Sequence, residues 1–415
     1  MALSMLAAAT LGLAACAPDT AIDIPGPTQV EGQIAEPTLA ELQAAVTDAM
    51  AATGSSGAIV GVWVPWSGTW VAGLGTQTPT SQTAVTAEMT FRIADVTRAM
   101  TCDALYAAAA DGLVALDDPV SQWVSGVSDL TDVTLLDLCN GTGSIGSYQG
   151  RLQPMWLTNP ERVWNPRELA SFGLGQDRTE RGVAWRDSDT GYVLLGLALE
   201  RATGKTASEM LADEVFEPLG LESTSLPGGS GQWAGTGTLT GTLSVKDGEG
   251  VMNCTEPLDV SNVSTSTGYT DSGVVSTIAD LGRYTRALAV GALAVDEKAA
   301  EARWAAPKTM GDTSWFTTTG GAFQAGSLVG QFGSVPGYLT AAFADAETGL
   351  TVAVVLNNSA SKAGTAAYLA WELAAIASKA PAAPGQTAPE FGLPWTAEQY
   401  HTQIAEAAIC PLPES

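Results

Sequence analysis

Strand-forming apolar runs sit in close pairs near both ends of this chain, and that pairing restricts the fold more than any other feature. Ala58–Trp66 and Thr69–Leu74 are separated only by Ser67-Gly68 and read as a β-hairpin. Tyr338–Ala344 and Leu350–Asn357, across Asp345-Ala-Glu-Thr-Gly349, read as adjacent core strands. A helix flanks each pair. Thr38 opens the first, with Glu41 completing a capping box and Leu39, Leu42, Val46 and Met50 on one face. Ala363–Lys379 reads as the second.

The 415 residues can bury one large core or two lobes. Hydrophobic residues make up 46% and charged residues 15%, a balance that fits an ordered globular protein. A formal charge of −26 argues against nucleic acid or an anionic membrane surface as partner, because both require a basic footprint.

The stretch Phe91-Arg-Ile-Ala-Asp-Val-Thr-Arg98 opens a helix that runs to Ala110 and stops at Asp111-Gly112. It resembles the F-R-I-x-S-x-x-K segment of the serine β-lactamase and D-Ala-D-Ala peptidase family, with Asp95 at the Ser position and Arg98 at the Lys position. Leu113–Val120 is similar to the family's G-x-L-x-L-D-D-P-V, and Val133–Gly143 to its V-T-V-R-D-L-L-T-H-T-S-G. Trp185-Arg-Asp-Ser-Asp-Thr-Gly-Tyr-Val-Leu-Leu-Gly196 resembles Y-S-N-T-G-Y-V-L-L-G, with Asp187 for Tyr and Asp189 for Asn. Phe216–Ser225 and Asp271–Tyr284 are similar to F-x-P-L-G-M-x-x-T and G-G-L-x-S-T-A-x-D-L-x-R-F. Gly330–Tyr338 stands where H-x-G or K-T-G is expected, with Gln331 replacing the cation and Gly333 retained.

The resemblance covers residues 38–380 and implies an α/β (α+β) fold of the β-lactamase/transpeptidase type: an antiparallel sheet flanked by helices, with an inserted helical lobe. It also implies a cleft between the lobes holding Asp95, Arg98, Asp187, Asp189, Gln331 and Gly333. A serine acyl-transfer enzyme needs a hydroxyl to attack and an amine to take its proton. Asp95 offers no hydroxyl, and Arg98 keeps its proton at any physiological pH. The two are three residues apart on one helix face, in reach of an ion pair. The expectation is a degenerate pocket with no catalytic residue and no cofactor. The alternative is an active hydrolase with substituted machinery, in which Asp95 shares a proton with Asp187 or Asp189. Arg98 is expected to oppose that by holding Asp95 ionised.

Ser359-Ala-Ser-Lys362, an S-x-x-K match, reads as a polar helix start. Asp187–Gly191 resembles a calcium loop but lacks the third acidic ligand and the Glu at position twelve, so no metal is expected.

Residues 1–15 form an apolar run ending in Leu13-Ala-Ala-Cys16, which resembles the lipobox of bacterial lipoproteins. That resemblance implies a signal peptide over 1–15, lipidation at Cys16, and a protein exported and anchored to the outer face of the cell membrane. Residues 16–37 then read as a flexible linker and 381–415 as a Pro/Ala-rich tail. Peptidoglycan fragments or an envelope protein are the candidate partners.

Setting Cys16 aside leaves Cys102, Cys139, Cys254 and Cys410, which allow three pairings. The resemblance favours Cys102–Cys139, since both segments should border the cleft, and leaves Cys254–Cys410. Buried free thiols are the alternative.

Overall fold

The computed structural model describes residues 21–227, 233–235 and 237–412. Helix α1, Glu36–Thr53, starts two residues before the Thr38 expected from the sequence. Pro37 occupies its first turn, where a fixed φ and a missing N–H cost nothing, and no side chain caps it. The helix closes at Gly54, whose left-handed φ of 67° a side chain would resist.

Strands β1 (Gly57–Val64) and β2 (Gly68–Gly75) form the expected hairpin, with Ala58 opposite Leu74. The chain rejoins this sheet only at β3 (Lys308–Thr309), followed by β4 (Phe316–Thr319), β5 (Ala322–Ala325), β6 (Leu328–Val335), β7 (Tyr338–Asp345) and β8 (Thr351–Leu356). The order is β2-β1-β8-β7-β6-β5-β4-β3. Every pairing is antiparallel. The first hairpin therefore docks on the last strand, with Ala58 opposite Leu356.

Both faces of the sheet are covered, which explains its unbroken apolar runs. Val60, Val62, Leu339, Ala341, Phe343, Val352 and Val354 pack with α1 and α5 (Gly364–Ala377). Ile59, Ala342, Ala344, Ala353 and Val355 face the other way, into the core of the inserted helical lobe. Alternation along each strand divides the side chains between the two layers. The lobe's main helices are α2 (Val96–Ala110), α3 (Asp189–Thr203) and α4 (Ile278–Val290).

Two expectations about the chain ends are corrected. Residues 16–37 are not a free linker throughout, because the chain is tied down from Ile22 onward. Ile22 N–H donates to Pro218 O at 2.8 Å, Val30 N–H to Pro65 O at 3.1 Å, and the Gln29 amide to Val64 O and Gly68 O. The tail is more than a Pro/Ala-rich segment. It contains helix α6, Ala397–Glu406, which seats Tyr400 and Ile404 in the core, while the Trp395 indole donates to Trp371 O at 3.0 Å. Disulfides Cys102–Cys139 and Cys254–Cys410, with Cα separations of 5.6 and 6.0 Å, are the favoured pairing.

The signal segment and Cys16 lie outside the described residues. Among the described residues no helix is long and apolar enough to cross a membrane.

Candidate functional site

The site begins at a two-residue ribbon, Phe91–Arg92, paired with Val275–Ser276. Ala94, at a positive φ of 50°, turns the chain so that Asp95 precedes the first residue of α2. Asp95 makes no capping bond and lies against β6 instead. The contact requires Gly333, since a β-carbon there would collide with Asp95 Cγ. Gly333 and Asp95 thus meet where the sequence reading places them.

Arg98, one turn along α2, is the centre of the cluster. Its Nε donates to Asp271 Oδ1 at 2.8 Å, its Nη1 donates to Asp187 Oδ1 at 2.8 Å, and the same Nη1 lies 3.4 Å from Asp95 Oδ2. The guanidinium also sits 4.9 Å from the Tyr192 ring centroid. Its side chain is 5% exposed and that of Asp271 3%, whereas Asp187 reaches solvent at 63%. The expected Asp95–Arg98 pair is present, but it is the longest of three.

Asp189 serves a different purpose. Its carboxylate accepts from Ser147 Oγ at 2.5 Å and from the backbone N–H groups of Tyr148, Gln149 and Thr190 at 2.6–2.8 Å. It pins the 147–149 loop to the start of α3, where Ser188 caps the helix by accepting from Gly191 N–H. Gln331 is buried in β6. Its amide donates to Gly321 O at 2.8 Å and accepts from Phe332 N–H, and it makes no hydrogen bond to the Arg98 cluster. Carrying Gln331 into the pocket by position is therefore corrected: its polar end is used within the sheet.

The sequence reading missed Asp271. It sits in the short helix Tyr269–Ser272, immediately ahead of the apolar Val274-Val275 pair. Its neighbours Thr270, Ser272 and Gly273 are polar or small, so nothing in the local sequence marks it as buried. Arg92 is also buried, donating to Thr267 Oγ1 at 3.2 Å, with no acceptor for its Nε. Between Arg92, Tyr148, Asp189 and Asp271 runs a cavity of about 10 Å³, the room of a single water. Ser359 of the S-x-x-K match lies elsewhere, its Oγ accepting from Gly337 N–H at 2.9 Å.

Several carboxylates around one guanidinium leave excess negative charge in a buried site. Burial lifts Asp95 well above the usual carboxylate range, with Arg98 only partly offsetting it. Burial likewise raises Asp271 to about 6, again against the pull of Arg98. Arg98 does pull Asp95 toward its ionised form, as expected, but loss of water is the larger influence. Burial also opposes charge on Arg98, but Asp271, Asp95 and Asp187 together hold its proton well above the ordinary arginine value. The guanidinium can hold charge and position but cannot accept a proton. Among the described residues no group of three or more His, Cys, Asp or Glu is arranged to hold a metal ion.

Known proteins share this architecture. A D-stereospecific amidohydrolase from Streptomyces sp. superposes with a TM-score of 0.67 at 23% identity, covering 78% of this chain and 94% of that one. A D-amino acid amidase from Ochrobactrum anthropi SV3 superposes with a TM-score of 0.66 at 22% identity, covering 79% and 93%. At these identities the likeness is one of fold. Penicillin-binding protein 4* of Bacillus subtilis (strain 168) is 23% identical over 137 residues, 32% of this chain and 30% of the relative. The D-alanyl-D-alanine-carboxypeptidase/endopeptidase AmpH of Escherichia coli (strain K12) is 28% identical over 142 residues, 32% and 36%. The matched segments thus span about a third of these relatives' lengths. The beta-lactamase family profile matches residues 42–375, most of the chain, and the protein belongs to that family of beta-lactamase-like serine hydrolases.

Proposed function

We propose that this chain is a non-catalytic binding or scaffold protein of the cell envelope, built on a hydrolase fold and held at the membrane by a lipid on Cys16. In this reading the S-x-x-K, Y-x-N and H-x-G positions are replaced, and the pocket engages a peptidoglycan fragment or an envelope protein. One observation carries it. Arg98 is locked among Asp271, Asp187 and Asp95, so an immobile charge stands where acyl transfer needs an amine that can take a proton. The test is covalent labelling of the purified protein with a fluorescent penicillin and a fluorophosphonate. No label with either is expected, while a stoichiometric adduct on any pocket residue would overturn the reading.

A second reading, a hydrolase with substituted residues, draws support from the carboxyl groups of Asp95 and Asp271. Both are raised by burial, so one can carry a proton near neutral pH in the manner of a shared-proton acid pair. Turnover of D-alanyl peptides, esters or lactams that disappears in Asp95→Asn and Asp271→Asn would establish it.

A further inference from the structure

The segment Asp23–Gln29 roofs a second cavity of about 540 Å³, walled by Trp63, Arg283 and Arg286, which shares no lining residue with the Arg98 cluster. The two arginines are one turn apart on α4, where like charges repel. Their hydrogen bonds go only to neutral carbonyls. Arg283 donates to Leu219 O and, at 3.1 Å, to Ile22 O; Arg286 donates to Pro27 O at 2.6 Å. Among the described residues neither has a carboxylate within ion-pair distance, and Asp23 acts on Arg286 only from farther away. Arg286 Nε is buried without an acceptor.

This is a local positive excess on a chain of net charge −26, facing a cavity of ligand size. Burial depresses the affinity of Arg286 for its proton; Asp23, which also lines the cavity, partly restores it and Arg283 works against it, so an added anion would act in the same direction as Asp23. Trp63 supplies a fixed aromatic wall, because a β-carbon at Gly61 or Gly282 would collide with its ring. We infer that this cavity binds a small organic oxyanion, a carboxylate or phosphate on a compact body that lies against the Trp63 indole. The guanidinium groups of Arg283 and Arg286 supply the charge and the directed donors.

Calorimetric titration of the purified full chain with benzoate and with inorganic phosphate tests this at low ionic strength. Saturable binding that weakens as NaCl is added is expected. Arg283→Gln and Arg286→Gln, each confirmed folded by circular dichroism, should weaken it at least tenfold; Arg286→Lys should retain part of it. The exposed Arg151→Gln should leave it unchanged. Co-sedimentation with phosphatidylglycerol vesicles separates the sources: binding to vesicles alone, with the same arginine dependence, assigns the site to a lipid headgroup. Binding of neither the small anions nor the vesicles overturns the proposal, as does binding indifferent to both arginines.

Discussion

Arg98 Nε and Asp271 Oδ1 lie 2.8 Å apart on elements far separated in sequence, and both side chains are almost wholly buried. Burial raises the Asp271 carboxyl to about 6, so its charged form costs the folded state about 3 kcal/mol at pH 7.5, and Asp271→Asn is expected to exceed the parent there by up to that amount. Below about pH 4, where the parent carboxyl is protonated in both states, the two should agree, and Asp187 and Asp95 remain to Arg98 throughout. Urea denaturation at pH 7.5 measures it.

Arg98→Lys retains the charge but not the geometry. A single ammonium cannot donate along both the Nε and Nη1 directions that reach Asp271 and Asp187, nor lie flat on Tyr192. A loss of roughly 2 kcal/mol is expected from one lost charged hydrogen bond. Equality with the parent in the same denaturation experiment would show that the fork is not used.

Gly333→Ala places a methyl group against Asp95 Cγ. Overpacking of this kind costs about 1–3 kcal/mol. The companion variant Gly333→Ala/Asp95→Gly should recover most of that loss, which separates a local collision from general damage to β6.

Glu372 on α5 is buried against His401 of α6, with Asp48 also near. Burial raises its carboxyl to about 7, partly offset by His401, and its Oε2 has no partner. Its folded value lies above the unfolded one, so the folded state favours the protonated form. The contribution is present below about pH 4.5 and is lost as pH rises toward 7. Glu372→Gln should therefore match the parent near pH 4 and exceed it by on the order of 1–3 kcal/mol at pH 8. Denaturation midpoints from pH 4 to 8 check both limits.

Cys254→Ser/Cys410→Ser releases a closure between residues 156 apart. A loss of about 2–4 kcal/mol is expected. Hydrogen exchange should locate its first effect in α6 and the segment around Ile409, whose N–H donates to Ala52 O at 2.9 Å.

The strand runs and α2 were legible in the sequence because both rest on local periodicity and turn residues. The start of α1 was misplaced because Pro37 competes with Thr38 as a boundary signal, and fixed φ won. Helix α6 carries Thr396 three residues before Gln399, and Thr396 does cap it, but the Pro-rich stretch ahead masked that cue. Asp95, Arg98 and Asp187 could be brought together on paper because each lies in a segment with a family counterpart. Asp271 opens a segment with a counterpart too, but that motif carries no site residue, and its partnership with Arg98 depends on how the chain returns beneath α2. Gln331 erred the other way: its place on β6 was right, but which acceptor its amide would choose is a tertiary matter.

Because β1 zips onto β8 along Ala58–Trp63, the first strand of the sheet must wait for the last before its free edge is satisfied. Until then Val60 and Val62 offer an apolar ribbon to any passing strand. Pairing is therefore complete only once Thr351–Leu356 is in place, and a product cut short ahead of Thr351 would leave the β1 edge uncovered.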